Sequence, residues 1–204
     1  MSGMLIMDND TYISERLNAF NRKYREAFKG EEIVLGSGSC RSDILLVGEA
    51  PGRDEVKLSK PFVGMAGRQL EEFLKMMEIK RQDNYITNAI KYRLLKYSEK
   101  TGRTSNRPAR KDEIICNRQF LLEEIDLIRP LCIVTLGNVP LRCVTGDFSL
   151  CIGEYHGKLI NTAVMGKEYR LFPLYHPASI IYNRSLKDVY INDIKKLKKI
   201  FFEM

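Results

Sequence analysis

The chain has 204 residues, of which 44 % are hydrophobic and 29 % are charged. These proportions are typical of globular proteins and argue against global disorder. No stretch approaches the roughly 18 to 20 consecutive apolar residues that a membrane span needs, so we expect no membrane partner. The formal net charge of +7 favours a polyanionic partner such as nucleic acid, although basic stretches are also common on ordinary solvated surfaces.

The cysteine content argues against two kinds of site. The chain has five cysteines and no CxxC pair, which disfavours both a disulfide framework and a compact zinc site. The first seven residues lack the basic segment and the cleavage-like run of a signal peptide. We therefore expect a cytoplasmic protein without a metal, built as a single domain over residues 1–204 with residues 1–30 as an N-terminal helical extension.

The first half of the chain alternates helix and strand patterns. In chain order, the patterns predict a helix at 9–29, a short strand at 33–35, a turn at 36–39, a buried strand at 44–47, a helix around 70–77 and a strand at 85–87. Residues 94–109 are polar, basic and rich in turn formers, which predicts a mobile loop.

The second half continues the alternation. In chain order, it predicts a helix at about 110–129, a buried strand at 131–136, a strand pair at 158–164 and 170–174, and a closing helix at 186–201. The alternation predicts an α/β fold with a largely parallel sheet. Ligands of such sheets bind beyond the carboxyl ends of the strands. Because Glu49, Asn88 and His176 each follow such an end, we expect them to converge on one crevice.

Two loops carry candidate functional side chains. The segment Gly48-Glu49-Ala50-Pro51-Gly52 holds a carboxylate between glycines, where it can orient a water molecule or be an incidental turn residue. Phe62 lies in a second loop bounded by proline and glycine. Its ring can stack on a flat base, although most such rings simply pack into the core.

Asn88 and His176 are the remaining candidates. The amide of Asn88 offers both a donor and an acceptor, which suits the N3–H and O4 of uracil; an isolated asparagine at this place more commonly caps a turn. His176 is one of two histidines. It is a candidate for chemistry, whereas a lone histidine is more often a structural residue.

Six segments of the sequence occur in a specific order. They are Gly48-Glu49-Ala50-Pro51-Gly52, Pro61-Phe62-Val63-Gly64-Met65-Ala66-Gly67, Tyr85-Ile86-Thr87-Asn88-Ala89-Ile90-Lys91, Asn106-Arg107 with Glu113, Leu136-Gly137, and His176-Pro177-Ala178. Together they resemble the family 4 uracil-DNA glycosylases, a branch of the uracil-DNA glycosylase superfamily, over about residues 33 to 200. The resemblance implies a three-layer α/β/α sandwich with a four-stranded, mainly parallel central sheet.

The resemblance also implies roles for individual residues. Those implied to bind uracil are Gly48, Ala50, Phe62 and Asn88. Phe62 would stack on the flipped base, and Asn88 would read its Watson–Crick edge. His176 would donate to O2 of the departing base, and either Glu49 or Glu55 would orient the attacking water.

Further residues are implied to contact DNA. The cationic candidates for phosphate contacts are Arg68, Lys91, Arg107 and Arg184. Ile181 and Tyr182 are candidates for a wedge that fills the gap left by the flipped nucleotide. Core packing is the competing interpretation for Ile180 and Ile181.

The sequence departs from the resembled family in its cysteines. Members of that family typically hold a 4Fe–4S cluster with four cysteines. Here the N-terminal helix has no cysteine, Tyr92 occupies the third ligand position and only Cys116 matches. We therefore expect no cofactor. Other departures are Ser59 in place of a glycine and Leu94-Leu95 in place of prolines. The 94–109 segment also has no histidine, which disfavours the covalent, DNA-trapping relatives.

The predicted activity is that of a monofunctional, monomeric glycosylase that removes uracil from DNA by base flipping and water attack. Two alternatives stay open. One is a glycosylase for another deaminated base, such as hypoxanthine or xanthine. The other is a non-catalytic DNA-binding protein with a glycosylase fold, because a fold does not guarantee chemistry.

Overall fold

The computed structural model describes residues 9–203, except for the side chains of Asn9 and Tyr182. Its helices are α1 (Asn9–Ala27), α2 (Arg53–Leu58), α3 (Met65–Met77), α4 (Lys111–Ile128), α5 (Asn138–Thr145), α6 (Ile152–Tyr155), α7 (Pro177–Tyr182) and α8 (Leu186–Phe202). Its strands are β1 (Ser37–Gly38), β2 (Ile44–Gly48), β3 (Tyr85–Asn88), β4 (Leu95–Ser98), β5 (Arg103–Asn106), β6 (Cys132–Leu136), β7 (Ile160–Val164) and β8 (Lys167–Leu174). Within this part of the chain, no helix has both the length and the apolar composition that crossing a membrane requires.

A six-stranded sheet forms the centre of the fold, in the order β1-β3-β2-β6-β8-β7. The four middle strands are parallel, whereas β1 and β7 pair antiparallel with the outer parallel strands. The predicted α/β class with a mainly parallel sheet is confirmed. The predicted number of four strands was wrong for the described residues, because an antiparallel strand extends the parallel core at each edge.

Helices cover both faces of the sheet. Alternate residues of β2 point to opposite faces, so that Leu45 and Val47 enter one apolar cluster while Ile44 and Leu46 enter the other. The first cluster packs the sheet against α1, α4 and α5, and the second packs it against α3, α7 and α8. Burial on both faces explains why β2 is a continuous apolar run and why β6 has a single polar residue, Thr135.

Three segments differ from their predicted local structure. Residues 94–109, predicted as a loop, contain an antiparallel hairpin formed by β4 and β5. The predicted strand at 33–35 makes only an isolated bridge from Ile33 to Tyr92, and the predicted turn at 36–39 contains β1. The partner strand decides these pairings, since none of the segments carries a strong strand pattern of its own.

Aromatic rings join α1 to α4 and to the chain after β3. The rings belong to Phe20, Tyr24, Phe28, Tyr92 and Phe120. The ring centroid of Tyr24 lies 4.6 Å from that of Phe28, and that of Phe28 lies 5.1 Å from that of Tyr92. Rings at such distances contribute about 0.5–1.5 kcal/mol per pair beyond the area that they bury.

Candidate active site

A cavity of about 430 Å³ lies beyond the carboxyl ends of the parallel strands. The residues of its wall that the sequence singled out are Ala50, Glu55, Phe62, Asn88, His176 and Ile181. They come from the segments after β2, β3 and β8 and from the loop before α3. The sheet therefore brings side chains from distant parts of the sequence to one crevice.

Phe62 is held in an unusual backbone conformation. Its φ of 53° lies in the left-handed region, which a bulky residue adopts only when its surroundings enforce it. The ring is buried against the end of β2, where a Cβ at Gly48 would lie 2.5 Å from the Phe62 Cζ atom. A Cβ at Gly67 would collide with the Phe62 carbonyl oxygen. Two glycines thus make room for this ring and its backbone.

Asn88 presents a nearly buried amide to the cavity. The residue is 3 % exposed and lies at the last position of β3. Its side-chain oxygen packs against Gly48, where a Cβ would collide with it. Among the described residues, no protein group hydrogen-bonds to this amide. Its atoms are not among the buried polar atoms that lack a partner, so the amide is accessible from the cavity and can bind water or a ligand there.

His176 contributes a neutral imidazole. Its Nδ1 atom accepts a hydrogen bond from the Ala178 backbone N–H at 3.1 Å, which leaves the ring proton on Nε2. Burial lowers the pKa of His176 to about 4, although the negative charge of Glu55 opposes this effect. The ring centroid lies 6.0 Å from that of Phe62. At neutral pH the side chain is therefore a hydrogen-bond donor without a charge.

The two candidate carboxylates have different surroundings. Glu55 lies on the cavity wall, where its two oxygens accept the backbone N–H groups of Gly52 and Gly64, both at 3.1 Å. Glu49 accepts the Ala109 N–H at 3.0 Å with one oxygen, and it does not line the cavity. Burial raises the pKa of Glu49, and the hydrogen bond from Ala109 offsets this only in part.

The side chain of Lys91, which the sequence analysis gave as a candidate for a phosphate contact, lies inside the protein rather than on its surface. Its side chain is fully buried, and Nζ lies 2.8 Å from Glu124 Oε2, which is fully buried too. The same ammonium donates to the Asn88 carbonyl at 3.0 Å. Glu124 also accepts the hydroxyl groups of Tyr85 and Thr87. The lysine and the glutamate therefore hold the end of β3 from inside the protein.

The side chain of Arg107, the second candidate for a phosphate contact, is bonded to other parts of the protein. Its guanidinium makes a bidentate pair with Glu113 at 2.8 and 2.5 Å, and its Nε donates to the Leu95 carbonyl at 3.0 Å. Each of the three guanidinium nitrogens therefore already donates to a protein oxygen, so fewer N–H groups are available to a phosphate. Arg68 and Arg184 are exposed, so the structure leaves both accessible to DNA.

The candidate wedge residues separate into two environments. Ile180 is 7 % exposed and belongs to the core beneath α7, as the competing interpretation had it. Ile181 is 37 % exposed and lines the cavity. Tyr182 lies at the end of α7, and its side chain is outside the described part of the chain.

Comparison with known proteins agrees with this geometry. A sequence model described as the Uracil DNA glycosylase superfamily matches residues 35–198, a range that includes each segment of the cavity wall. The chain belongs to the uracil DNA glycosylase superfamily.

Three relatives in this superfamily are each named Type-4 uracil-DNA glycosylase. The protein of Archaeoglobus fulgidus is 34 % identical over 82 % of this chain and 81 % of its own length. That of Saccharolobus solfataricus is 31 % identical over 95 % of this chain and 87 % of its own length. That of Thermotoga maritima is 35 % identical over 81 % of both chains. The resemblance to this branch of the superfamily is confirmed.

The cysteines of this superfamily member do not fit a four-thiolate cluster. Cys116 is exposed on α4, and Tyr92 packs against Phe28 where the resemblance places the third ligand. Burial raises the pKa of Cys132 and of Cys143 to about 12, which keeps both as neutral thiols. In the part of the chain that the structure describes, no three His, Cys, Asp or Glu residues are grouped to hold a metal ion.

Sequence reasoning missed part of the cavity wall in this superfamily member. Arg93, Thr104 and Asn106 line the cavity beside the hairpin, and Met65 lines it at the start of α3 with 53 % exposure. Arg93 Nε donates to Asn106 Oδ1 at 3.0 Å, which leaves the Asn106 amide N–H groups to face a ligand. Asn106 belongs to the Asn106-Arg107 segment of the family resemblance. Because residues 94–109 were predicted to be a mobile loop, the sequence gave no reason to place this residue at the cavity.

Proposed function

We propose that the chain is a monofunctional DNA glycosylase that hydrolyses the N-glycosidic bond of uracil in DNA. The observation that carries the proposal is the buried Asn88 amide, which has no protein partner among the described residues and faces the cavity beside Phe62 and His176. A planar base with adjacent donor and acceptor atoms would satisfy this amide. Uracil has that arrangement at N3–H and O4, whereas cytosine presents the reverse pattern.

The chemistry follows from the charge that develops during bond cleavage. The base leaves with negative charge on O2 while the sugar becomes positive, so a preorganised donor near O2 stabilises the transition state. In the proposed mechanism, the Nε2–H of neutral His176 is that donor, and Phe62 fixes the plane of the base by stacking. The base reaches the cavity by flipping out of the DNA, which costs a few kcal/mol.

We assign the attacking water to Glu49 and a positioning role to Glu55. Only Glu55 lines the cavity, but Glu49 directly precedes the wall residue Ala50 and has one oxygen without a partner among the described residues. Both oxygens of Glu55 already accept backbone N–H groups of the loops that shape the cavity. Glu49 makes one such bond, and burial raises its pKa, which makes the carboxylate a stronger base. The assignment predicts that Glu49→Gln lowers kcat more than Glu55→Gln does.

Asn88→Ala is expected to lower kcat/KM for uracil excision by about 30-fold to 150-fold. The variant loses two hydrogen bonds to the base, together worth about 2–3 kcal/mol. The measurement uses a labelled oligonucleotide with one uracil, single-stranded or opposite guanine or adenine, with alkali to reveal abasic sites. Lys75→Ala, an exposed change near the end of α3 and outside the cavity wall, controls for handling of the variants.

Folded wild-type protein that releases no uracil from any of these substrates would refute the proposal. Oligonucleotides with hypoxanthine or xanthine are then the next substrates. If the protein binds these DNAs without releasing any base, the fold serves binding alone.

We propose that the enzyme works without an iron–sulfur cluster. The support is the donor set, since one exposed cysteine and a packed tyrosine stand at two of the implied ligand positions. Protein purified without exposure to oxygen is expected to contain no stoichiometric iron or acid-labile sulfide and to keep full activity with a chelator. Iron at four atoms per chain would contradict this.

We also predict that the enzyme is a single domain, is monomeric and is located in the cytoplasm.

A further inference from the structure

The hairpin of β4 and β5 has one face toward the cavity. In its register Leu95 lies opposite Asn106, and Tyr97 lies opposite Thr104. Directly opposed residues of an antiparallel pair point to the same face, with Cβ atoms about 5 Å apart. Since Thr104 and Asn106 line the cavity, Tyr97 lies on the cavity-facing side of the hairpin.

Tyr97 is 66 % exposed, the largest exposed fraction among the described large hydrophobic side chains. A Cβ at Gly102, in the turn of the hairpin, would lie 4.0 Å from the Tyr97 hydroxyl oxygen, so the ring extends along the hairpin toward its turn. A single exposed tyrosine is ordinary. Its position on the cavity-facing side of the hairpin makes this one informative, because an exposed ring there is within reach of a ligand bound at the cavity.

The charge of the hairpin suits a polyanion. Its two strands and turn contain Lys96, Lys100 and Arg103, with Glu99 as the single carboxylate. Lys96 and Arg103 lie in the strands and both are exposed. By the alternation of the strands, Lys96 and Arg103 point to the face opposite Tyr97, whereas Lys100 lies in the turn beyond it. They make the hairpin as a whole attractive to a phosphate backbone.

The base of the hairpin is fixed to the body of the protein. Arg107 donates from its backbone N–H to the Leu94 carbonyl and from Nε to the Leu95 carbonyl, at 3.1 and 3.0 Å. The bidentate pair of Arg107 with Glu113 ties this base to α4. An arm anchored in this way presents its surface without a large entropic cost of ordering on binding.

We propose that this hairpin binds the DNA strand beside the flipped nucleotide, with Tyr97 stacked on the adjoining nucleobase and the positive charge of the hairpin favouring the approach of the phosphate backbone. The inference rests on the proposed function for the identity of the ligand. Stacking on an aromatic ring contributes about 1–3 kcal/mol per base and tolerates any base. Tyr97 would therefore raise the affinity for DNA without adding sequence preference.

The test uses the absence of tryptophan from the chain. The Tyr97→Trp variant carries the sole indole, whose fluorescence is expected to fall when a single-stranded, uracil-containing oligonucleotide stacks on it. His176→Asn in the same chain slows cleavage during the titration. The matched control is Tyr12→Trp, at a 50 % exposed position on α1 that does not line the cavity, and its fluorescence is expected to stay constant.

Affinity provides a second readout. Tyr97→Ala is expected to weaken binding of the labelled oligonucleotide about tenfold or more, whereas Tyr97→Phe keeps the wild-type affinity because it keeps the ring. Unchanged fluorescence of Tyr97→Trp at saturation, or wild-type affinity of Tyr97→Ala, would overturn the inference. If wild-type protein releases no uracil but the Tyr97→Trp signal falls, the hairpin surface stands and the proposed activity does not.

Discussion

Lys91→Met is expected to lower the free energy of unfolding by about 3–5 kcal/mol, because it leaves a buried charge without its partner. Lys91 and Glu124 are both fully buried at 2.8 Å. Methionine fills much of the same volume but provides no ammonium. The Glu124 carboxylate would then be surrounded by apolar groups and by the hydroxyls of Tyr85 and Thr87.

Urea unfolding followed by circular dichroism measures this loss. Lys23→Met removes a lysine from the exposed ion pair with Glu123 and is expected to cost less than about 1 kcal/mol. Adding Glu124→Gln to Lys91→Met is expected to restore most of the stability, since no unpaired charge remains and the amide oxygen still accepts the two hydroxyls. A Lys91→Met chain as stable as the Lys23→Met chain would show that the buried pair contributes little.

His176→Asn is expected to lower kcat by about 10²-fold to 10³-fold, the usual effect of removing one donor to a developing oxyanion. Asparagine is chosen because its side-chain oxygen can still accept the Ala178 N–H at the start of α7, while the Nε2–H is lost. KM should change less than kcat, since the charge on O2 develops only in the transition state. The control is His156→Asn, because His156 pairs with Asp193 and does not line the cavity.

The pH profile of the wild-type enzyme tests the same assignment. The pKa of His176 is lowered to about 4. The ring therefore stays neutral as the pH falls past about 6.5, where an ordinary histidine takes up a proton. We expect no step in kcat near pH 6.5 and a loss as the pH falls further, when Glu49 and then His176 take up protons. A step near pH 6.5 that vanishes in His176→Asn would contradict the neutral-donor role.

Two strands of the parallel core were predictable because they are apolar runs. Residues 44–47 contain no polar residue and residues 131–136 contain only Thr135, so neither run has the alternation of a strand with one solvated face. The edge elements were not predictable. β1 and the hairpin at 95–106 are short, polar or rich in glycine, and their strand conformation comes from pairing rather than from a local pattern.

The candidate site was predictable as a set of residues, but the environment of each cation was not. Phe62, Asn88 and His176 were identified from motifs and strand ends, and the structure brings them to one cavity. Lys91 is the last residue of the segment that contains Asn88, and from the sequence alone a lysine at this position is expected to lie on the surface. Only the three-dimensional position of Glu124, on a helix far along the chain, shows that this lysine is buried.

The contact of the buried Lys91 with α1 determines where the chain can be truncated without loss of structure. The match to the superfamily model begins at residue 35, yet the Lys91 ammonium lies 5.5 and 5.9 Å from the ring centroids of Tyr24 and Phe20 on α1. A fragment trimmed to the matched residues would open this lysine and its glutamate to water. It would also release the strand end that carries Asn88. The first residue of that match is therefore not the first residue of the cooperative folding unit, because α1 covers the buried ion pair.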